Sequence, residues 1–297
     1  METRAYGSTG LEVSVLGLGA SQIGNKLLDD AEVGRLLNGV LDAGITLIDT
    51  AHCYGQSEER IGRYIADRRD EYVLSSKTGH RVDGVEDWTA QAVREAVELS
   101  LTRMKTDHID VMHLHSCSLD DLQTPGLIDE LDKLVAEGKI GFAAYSGEND
   151  ALKWAAESGR FACLETSLNV ADQWSLGNVL PLAAERGLGV IAKRPVANAW
   201  WLDQTRPEGK YGETYWDRMQ VLAYETDLEP LDLALRFAAF APGVSCAITG
   251  STNLDNLRRN VEVVGRGPLP EEVVTHVRQR WAEAGKDDSG VEWPGEA

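Results

Sequence analysis

Apolar residues along this chain fall into short runs separated by longer stretches where they recur every three or four positions. The runs cover 13–19, 46–49, 72–77, 109–115, 140–146, 162–167, 189–193 and 245–249. Their lengths are those of strands. The stretches between them read as amphipathic helices over 30–43, 88–104, 129–137, 150–158, 178–186, 230–240 and 253–261. In 88–104 the apolar positions Val93, Val97, Leu101 and Met104 share one helical face. Glycines at 44, 138, 159 and 187 follow four of the helices as stop signals. Pro230 opens another, where its missing N–H does no harm. Eight repeats of strand then helix predict parallel strands with crossover helices, closed as a (β/α)8 TIM barrel. An open doubly wound sheet is the alternative. It would need a glycine-rich turn after its first strand, and Gly17-Leu18-Gly19-Ala20-Ser21-Gln22 lacks the third glycine.

The 297 residues suit one barrel domain spanning 1–297. Residues 1–10 predict a short N-terminal hairpin capping the barrel bottom, and 287–297 read as a C-terminal surface tail. Charge narrows the partners: 29 Lys+Arg stand against 48 Asp+Glu, a formal net charge of −19. Such a chain repels polyanions, which excludes nucleic acid as a partner. No apolar stretch approaches the roughly 20 residues of a membrane span, and the polar start lacks a signal peptide's apolar core. Cys53, Cys117, Cys163 and Cys246 are dispersed, with no C-x-x-C, as in a reduced cytoplasmic protein.

Barrels of this kind carry their chemistry at the carboxyl ends of the strands. The second predicted strand ends in Asp49, the third in Lys77 and the fourth in His115. Side chains alternate along a strand, so all three can converge on the barrel axis. Tyr54 lies in the loop just beyond Asp49. Taken singly, each has an ordinary structural use: a helix cap, a solvated strand end, loop packing, a satisfied polar group. Their coincidence at one end points to a site. His113 and His115 also have same-face spacing, but no third ligand is apparent, and no metal is expected.

The segments Asp49-Thr50-Ala51-x-x-Tyr54-Gly55-x-Ser57-Glu58, Ser76-Lys77-Thr78 and Asp110-x-x-x-x-His115 resemble the aldo-keto reductase superfamily. The match runs in order from Tyr6 to Asn260. The resemblance implies a (β/α)8 barrel that reduces carbonyls with NAD(P)H. It assigns Tyr54 as general acid/base, Lys77 as the cation that lowers the Tyr54 pKa, Asp49 as the partner of Lys77, and His115 as the group that orients the substrate oxygen. The expected partner is a small-molecule aldehyde, ketone or alcohol. Two other readings stand beside this one: a sugar (aldose) dehydrogenase on the same scaffold, and a nucleotide-sensing, non-catalytic regulatory subunit.

On the cofactor side the family pattern is only partly kept. Ser146 carries over, whereas Gly147, Glu165 and Lys193 stand where the family commonly has Asn, Gln and an aromatic ring. Glu165 is expected to be ionised through partial exposure in the cofactor cleft. The alkyl stem of Lys193 is left to pack on the nicotinamide, with Arg194 beside it. Gly250-Ser251-Thr252-Asn253 opens a helix whose N-terminus suits the adenosine-side phosphate. Asn256 replaces the family's Arg, and Asn260 is retained. NADP is the expected cofactor, with NAD as the alternative. The residues between 196 and 229 form the longest connection, and Trp200 and Trp201 in it are candidates for the substrate wall. Oligomeric state is not legible.

Overall fold

The computed structural model describes residues 1–287 and 289–296. Eight parallel strands close on themselves in the order β10-β3-β4-β5-β6-β7-β8-β9. They are β3 (Leu16–Gly19), β4 (Leu47–Asp49), β5 (Val73–Thr78), β6 (Ile109–His115), β7 (Ile140–Ser146), β8 (Cys163–Ser167), β9 (Gly189–Lys193) and β10 (Cys246–Thr249). Two further strands, β1 (Thr3–Ala5) and β2 (Glu12–Ser14), form a separate antiparallel hairpin.

Helices fill the connections: α1 (Asp30–Asp42), α2 (Ser57–Tyr64), α3 (Ala90–Met104), α4 (Leu119–Leu122), α5 (Leu127–Ala136), α6 (Asn149–Ser158), α7 (Trp174–Asn178), α8 (Leu180–Glu185), α9 (Glu213–Leu222), α10 (Pro230–Ala239), α11 (Leu254–Val264) and α12 (Glu271–Ala284). Helix α3 buries the predicted face, Val93, Val97, Leu101 and Met104. Thr89 caps its start by accepting a hydrogen bond from Ala92 N–H.

Alternation sorts the barrel interior into two levels. Leu47, Val73, Val111, Ala144, Cys163, Ile191, Cys246 and Ile248 pack as one apolar cluster, closed below by Tyr6 and Val13 of the hairpin. Two residues further along the strands the inward positions turn polar: Asp49, Ser75 and Lys77, His113 and His115, Ser146, Glu165 and Lys193. The strands thus carry an apolar floor and a charged ceiling. The outward faces meet the helices in a larger second core.

Four expectations are corrected. The run 13–19 is two strands, because Ser14 exchanges hydrogen bonds with Thr46 (2.8 and 2.9 Å) and its hydroxyl donates to Leu16 O (2.6 Å). Those bonds turn the chain from hairpin to barrel. The predicted helix 178–186 is α8 alone, which Pro181 in its first turn starts afresh after α7 has ended at Asn178. Helices α2, α4, α7, α9 and α12 were not anticipated, although Val273, Val274, Val277 and Trp281 of α12 have helical spacing. The final segment is docked rather than loose. Gly295 and Asn149 exchange hydrogen bonds (2.7 and 3.0 Å), Arg218 donates to Pro294 O (2.8 Å), and Trp293 packs edge-on against Trp281. Among the described residues no helix is long and apolar enough to cross a membrane.

Candidate active site

Strand register brings the predicted residues together. Gly19 pairs with Asp49, Asp49 with Ser75, Lys77 with His113, His115 with Ser146, and Ser146 with Glu165. Asp49, Lys77 and Glu165 are almost wholly buried. Lys77 Nζ pairs with Asp49 Oδ2, donates to Thr50 O at 3.0 Å and lies 3.3 Å from Glu165 Oε2. Ser75 donates to the other Asp49 oxygen at 2.9 Å. Tyr54 reaches this cluster from the β4–α2 loop. Its ring centre is 5.4 Å from Lys77 Nζ and 5.7 Å from the His115 ring, which it meets edge-on. The loop is held by Tyr54 N–H donating to Ala51 O (3.0 Å) and Gln56 N–H to Gly24 O (3.1 Å).

Two carboxylates share one ammonium here. Burial opposes the Lys77 charge, but Asp49 and Glu165 hold its pKa well above the usual lysine range. Burial also pushes Glu165 upward, yet Lys77 and then His113 outweigh it, so its pKa falls to about 2. Asp49 is raised to about 7 by burial and by the Glu165 charge. Glu165 is therefore ionised as expected, but through Lys77 rather than through exposure. The phenol departs from expectation. Lys77 is the largest single influence on Tyr54 and pulls it down. Burial and the charges of Asp49 and Glu165 together exceed that pull, and the pKa rises to about 12. His115 is driven to about 2 by burial and then by Lys77, so its imidazole is neutral.

Above the cluster opens a cavity of about 590 Å³. It is lined by Asp49, Tyr54, His115, Glu165, Lys193, Arg194 and Gly250 among the anticipated residues. Ser146 Oγ is buried without a hydrogen-bond partner among the described residues, and Glu165 Oε2 is held only by its ion pair with Lys77. An unpartnered Ser146 Oγ, beside the cavity-lining Glu165 on the next strand, fits the carboxamide of a nicotinamide. Lys193 Nζ is drawn 3.1 Å from Glu148 Oε1, which keeps its stem at the cavity wall. Arg194 donates to Ser167 Oγ at 3.0 Å and pairs with Glu296 O. Ser251 Oγ accepts from Asn253 N–H (3.0 Å), and Asn260 donates to Thr249 Oγ1 (3.1 Å) beneath it. Asn256 is exposed at the rim, 3.4 Å from Ser251 Oγ.

Trp200 and Trp201 are not among the residues that line the cavity. They stack edge-on at 4.6 Å and pack against the helical core. Asn198, Ala199 and Tyr211 take the wall instead, and Tyr211 lies 4.8 Å from the Arg194 guanidinium. Gln22, Asn198 and Tyr211 were missed by sequence reasoning. Gln22 follows the first strand end and Tyr211 sits between two glycines in the longest connection, which are the signals that could have found them.

An eight-stranded parallel barrel with a buried lysine between two carboxylates, and a tyrosine and a histidine at its mouth, has the architecture of the barrel oxidoreductases. The Aldo/keto reductase family model matches residues 15–282, and the chain belongs to that family. It is an oxidoreductase by the same comparison. An oxidoreductase of Bacillus subtilis (strain 168) is 29% identical over 94% of this chain and 97% of its own. A D-threo-aldose 1-dehydrogenase of a Pseudomonas species is 29% identical over 87% and 91%. The holo form of a Bacillus halodurans aldo-keto reductase superposes with a TM-score of 0.83 at 28% identity, covering 94% of this chain and 96% of that one.

Proposed function

We propose that this chain transfers a hydride between a nicotinamide cofactor and the carbonyl carbon of an aldehyde or ketone, or runs the reverse alcohol oxidation. When bound, the nicotinamide supplies the hydride. The protein supplies the proton and the orientation. Tyr54 donates to the developing alkoxide. With its pKa near 12 the phenol is fully protonated at neutral pH, which keeps the acid form populated and makes the base form scarce. Lys77 stabilises the phenolate left behind, and Asp49 holds Lys77 in place. Neutral His115 offers a hydrogen bond to the carbonyl oxygen.

Ser146 and Glu165 are assigned to the carboxamide, and Lys193 and Arg194 to the cavity wall beside the ring. Gly250, Ser251, Asn256 and Asn260 are assigned to the adenosine-side phosphate, with NADP preferred to NAD. The observation that carries this reading is the placement of Tyr54 beside a buried, doubly paired Lys77 at the floor of the cavity. The four cysteines are free, in keeping with a cytoplasmic protein. A sugar dehydrogenase is the second reading, favoured by the Pseudomonas relative.

Absorbance of NADPH with a panel of aldehydes and ketones, and of NADP⁺ and NAD⁺ with aldoses, tests both. Tyr54→Phe removes the proton donor and little volume. It is expected to retain cofactor binding and lose about 10²–10⁴-fold in turnover. A mutant reducing good aldehydes at wild-type rate would remove Tyr54 from the mechanism. Absence of turnover with every substrate in the panel, alongside tight cofactor binding, would favour a nucleotide-sensing subunit.

A further inference from the structure

The β4–α2 loop and the segment after β5 bring together three ligand-type side chains that the proposed reaction does not require as a group. Cys53 Sγ lies 3.5 Å from His115 Nδ1, and His80 Nε2 lies 3.2 Å from the same nitrogen. All three atoms fall within 4.8 Å of one another. With Zn–S near 2.3 Å and Zn–N near 2.0–2.1 Å, tetrahedral angles put adjacent sulfur and nitrogen ligands about 3.6 Å apart, and two nitrogens about 3.3 Å apart. Two of the three separations already match. We propose that Cys53, His80 and His115 form a three-ligand Zn²⁺ site at the rim of the catalytic cavity, with the fourth position open.

The site is held by its surroundings. Gly79 has φ +113, and an added Cβ there would lie 2.5 Å from the Trp88 ring. Trp88 in turn lies against the His80 ring, centres 5.1 Å apart. On the other side, His52 Nδ1 accepts from Arg103 (3.0 Å), so His52 Nε2 carries the hydrogen and donates to Arg81 O (3.0 Å). That bond ties the Cys53 loop to the His80 segment. All three ligands are partly exposed, so an ion can enter. One sulfur and two imidazoles without a carboxylate select zinc over magnesium or calcium. Binding replaces the thiol proton by the ion, and the proton passes to solvent.

The other converging trio, Asp49, His113 and Glu165, already surrounds the Lys77 ammonium, and that charge bars a second cation.

Zinc binding takes the His115 Nδ1 lone pair and fixes the ring beside the ion. Nε2 then keeps its hydrogen, so the donor that the proposed reaction offers to the carbonyl oxygen survives, and the site does not rest on that reading. The test starts from metal-free full-length protein. Titration with Co²⁺ is expected to give one equivalent bound, with tetrahedral visible bands and a near-ultraviolet thiolate band, all bleached by Zn²⁺. Cys53→Ser should abolish the thiolate band. His80→Asn should weaken Zn²⁺ at least about tenfold, the lower end of what even an outer-sphere change costs. Circular dichroism checks that both variants fold. A missing thiolate band in wild type, or an undiminished one in Cys53→Ser, overturns the site. These readouts follow the metal and not turnover, so the site and the proposed reaction fail separately.

Discussion

Glu165 gives Lys77 a second counter-charge and, through it, alters what Tyr54 can do. Its carboxylate lies 3.3 Å from Lys77 Nζ and raises the tyrosine pKa together with Asp49 and burial. In Glu165→Gln one of these charges is gone. The Tyr54 pKa should fall by about one to two units, the size of a buried charge acting at short range. Alcohol oxidation needs deprotonated Tyr54, so the rise of its rate with pH should move to lower pH by that amount; an unmoved rise would detach Glu165 from the phenol. The oxidised nicotinamide is cationic and the reduced one neutral. The same variant should therefore bind the reduced cofactor tighter relative to the oxidised one, read as the ratio of dissociation constants by fluorescence titration. At this scale Asp49, Lys77 and His115 were legible because alternation along a strand fixes direction. Glu165 was visible as a departure from the family pattern, but its pairing with Lys77 was not. That pairing depends on register across two intervening strands. Cys53, His80 and Tyr211 lie in loops, where no periodicity tells which side chains meet.

Between the elements, the catalytic loop is clamped by the turn that follows β3. A Cβ on Gly24 would lie 1.9 Å from the Tyr54 carbonyl oxygen, which is backbone and cannot swing aside. Gly24→Ala must therefore displace the Tyr54 loop. We expect a loss of about 1–3 kcal/mol in stability and a fall in kcat larger than the change in cofactor affinity, measured by thermal melting and steady-state rates. Wild-type kcat in a folded Gly24→Ala would show that the clamp does not position Tyr54. Beside that turn, where Gly250 meets Gln22, the start of α11 offers N–H groups to an anion. Ser251→Asp can still accept from Asn253 N–H, so the turn survives while a carboxylate enters the phosphate position. NADP should bind more weakly, with a smaller loss for NAD; equal dissociation constants for NADP would move the phosphate elsewhere. Elements with caps and stop glycines were read from sequence to within a residue or two, as with α1 before Gly44 and α6 before Gly159. Helix α9 was hidden because its segment lacks a clean apolar face and was taken with the long connection around it.

For the molecule as a whole, the (β/α)8 barrel was legible from strand count and spacing alone, while the course of the C-terminus was not. Its contacts are mostly polar and to backbone atoms, which leave no hydrophobic trace. Glu296 N–H donates to Asp172 at 2.8 Å, and Ser167 donates to Glu296 O at 3.1 Å. Arg194, on the cavity wall, also pairs with Glu296 O. A chain ending at Trp293 should fold, melt several degrees lower and show altered KM for bulky carbonyls, because Arg194 and Tyr211 lose their brace. Identical KM values across a size series would separate the tail from substrate choice. Barrel closure has a consequence in time. Leu18 pairs with Thr249, so the ring is completed by the last of its strands to be made. At about 5–20 residues per second, the ribosome needs roughly ten to fifty seconds to travel from the first barrel strand to the last. Throughout that interval the nascent sheet has two open edges and a half-assembled charge cluster with no roof. A permuted gene that starts just before β10 leaves β9 as the last strand made and β9–β10 as the closing pair, so the window in which newly made chains aggregate should keep its length.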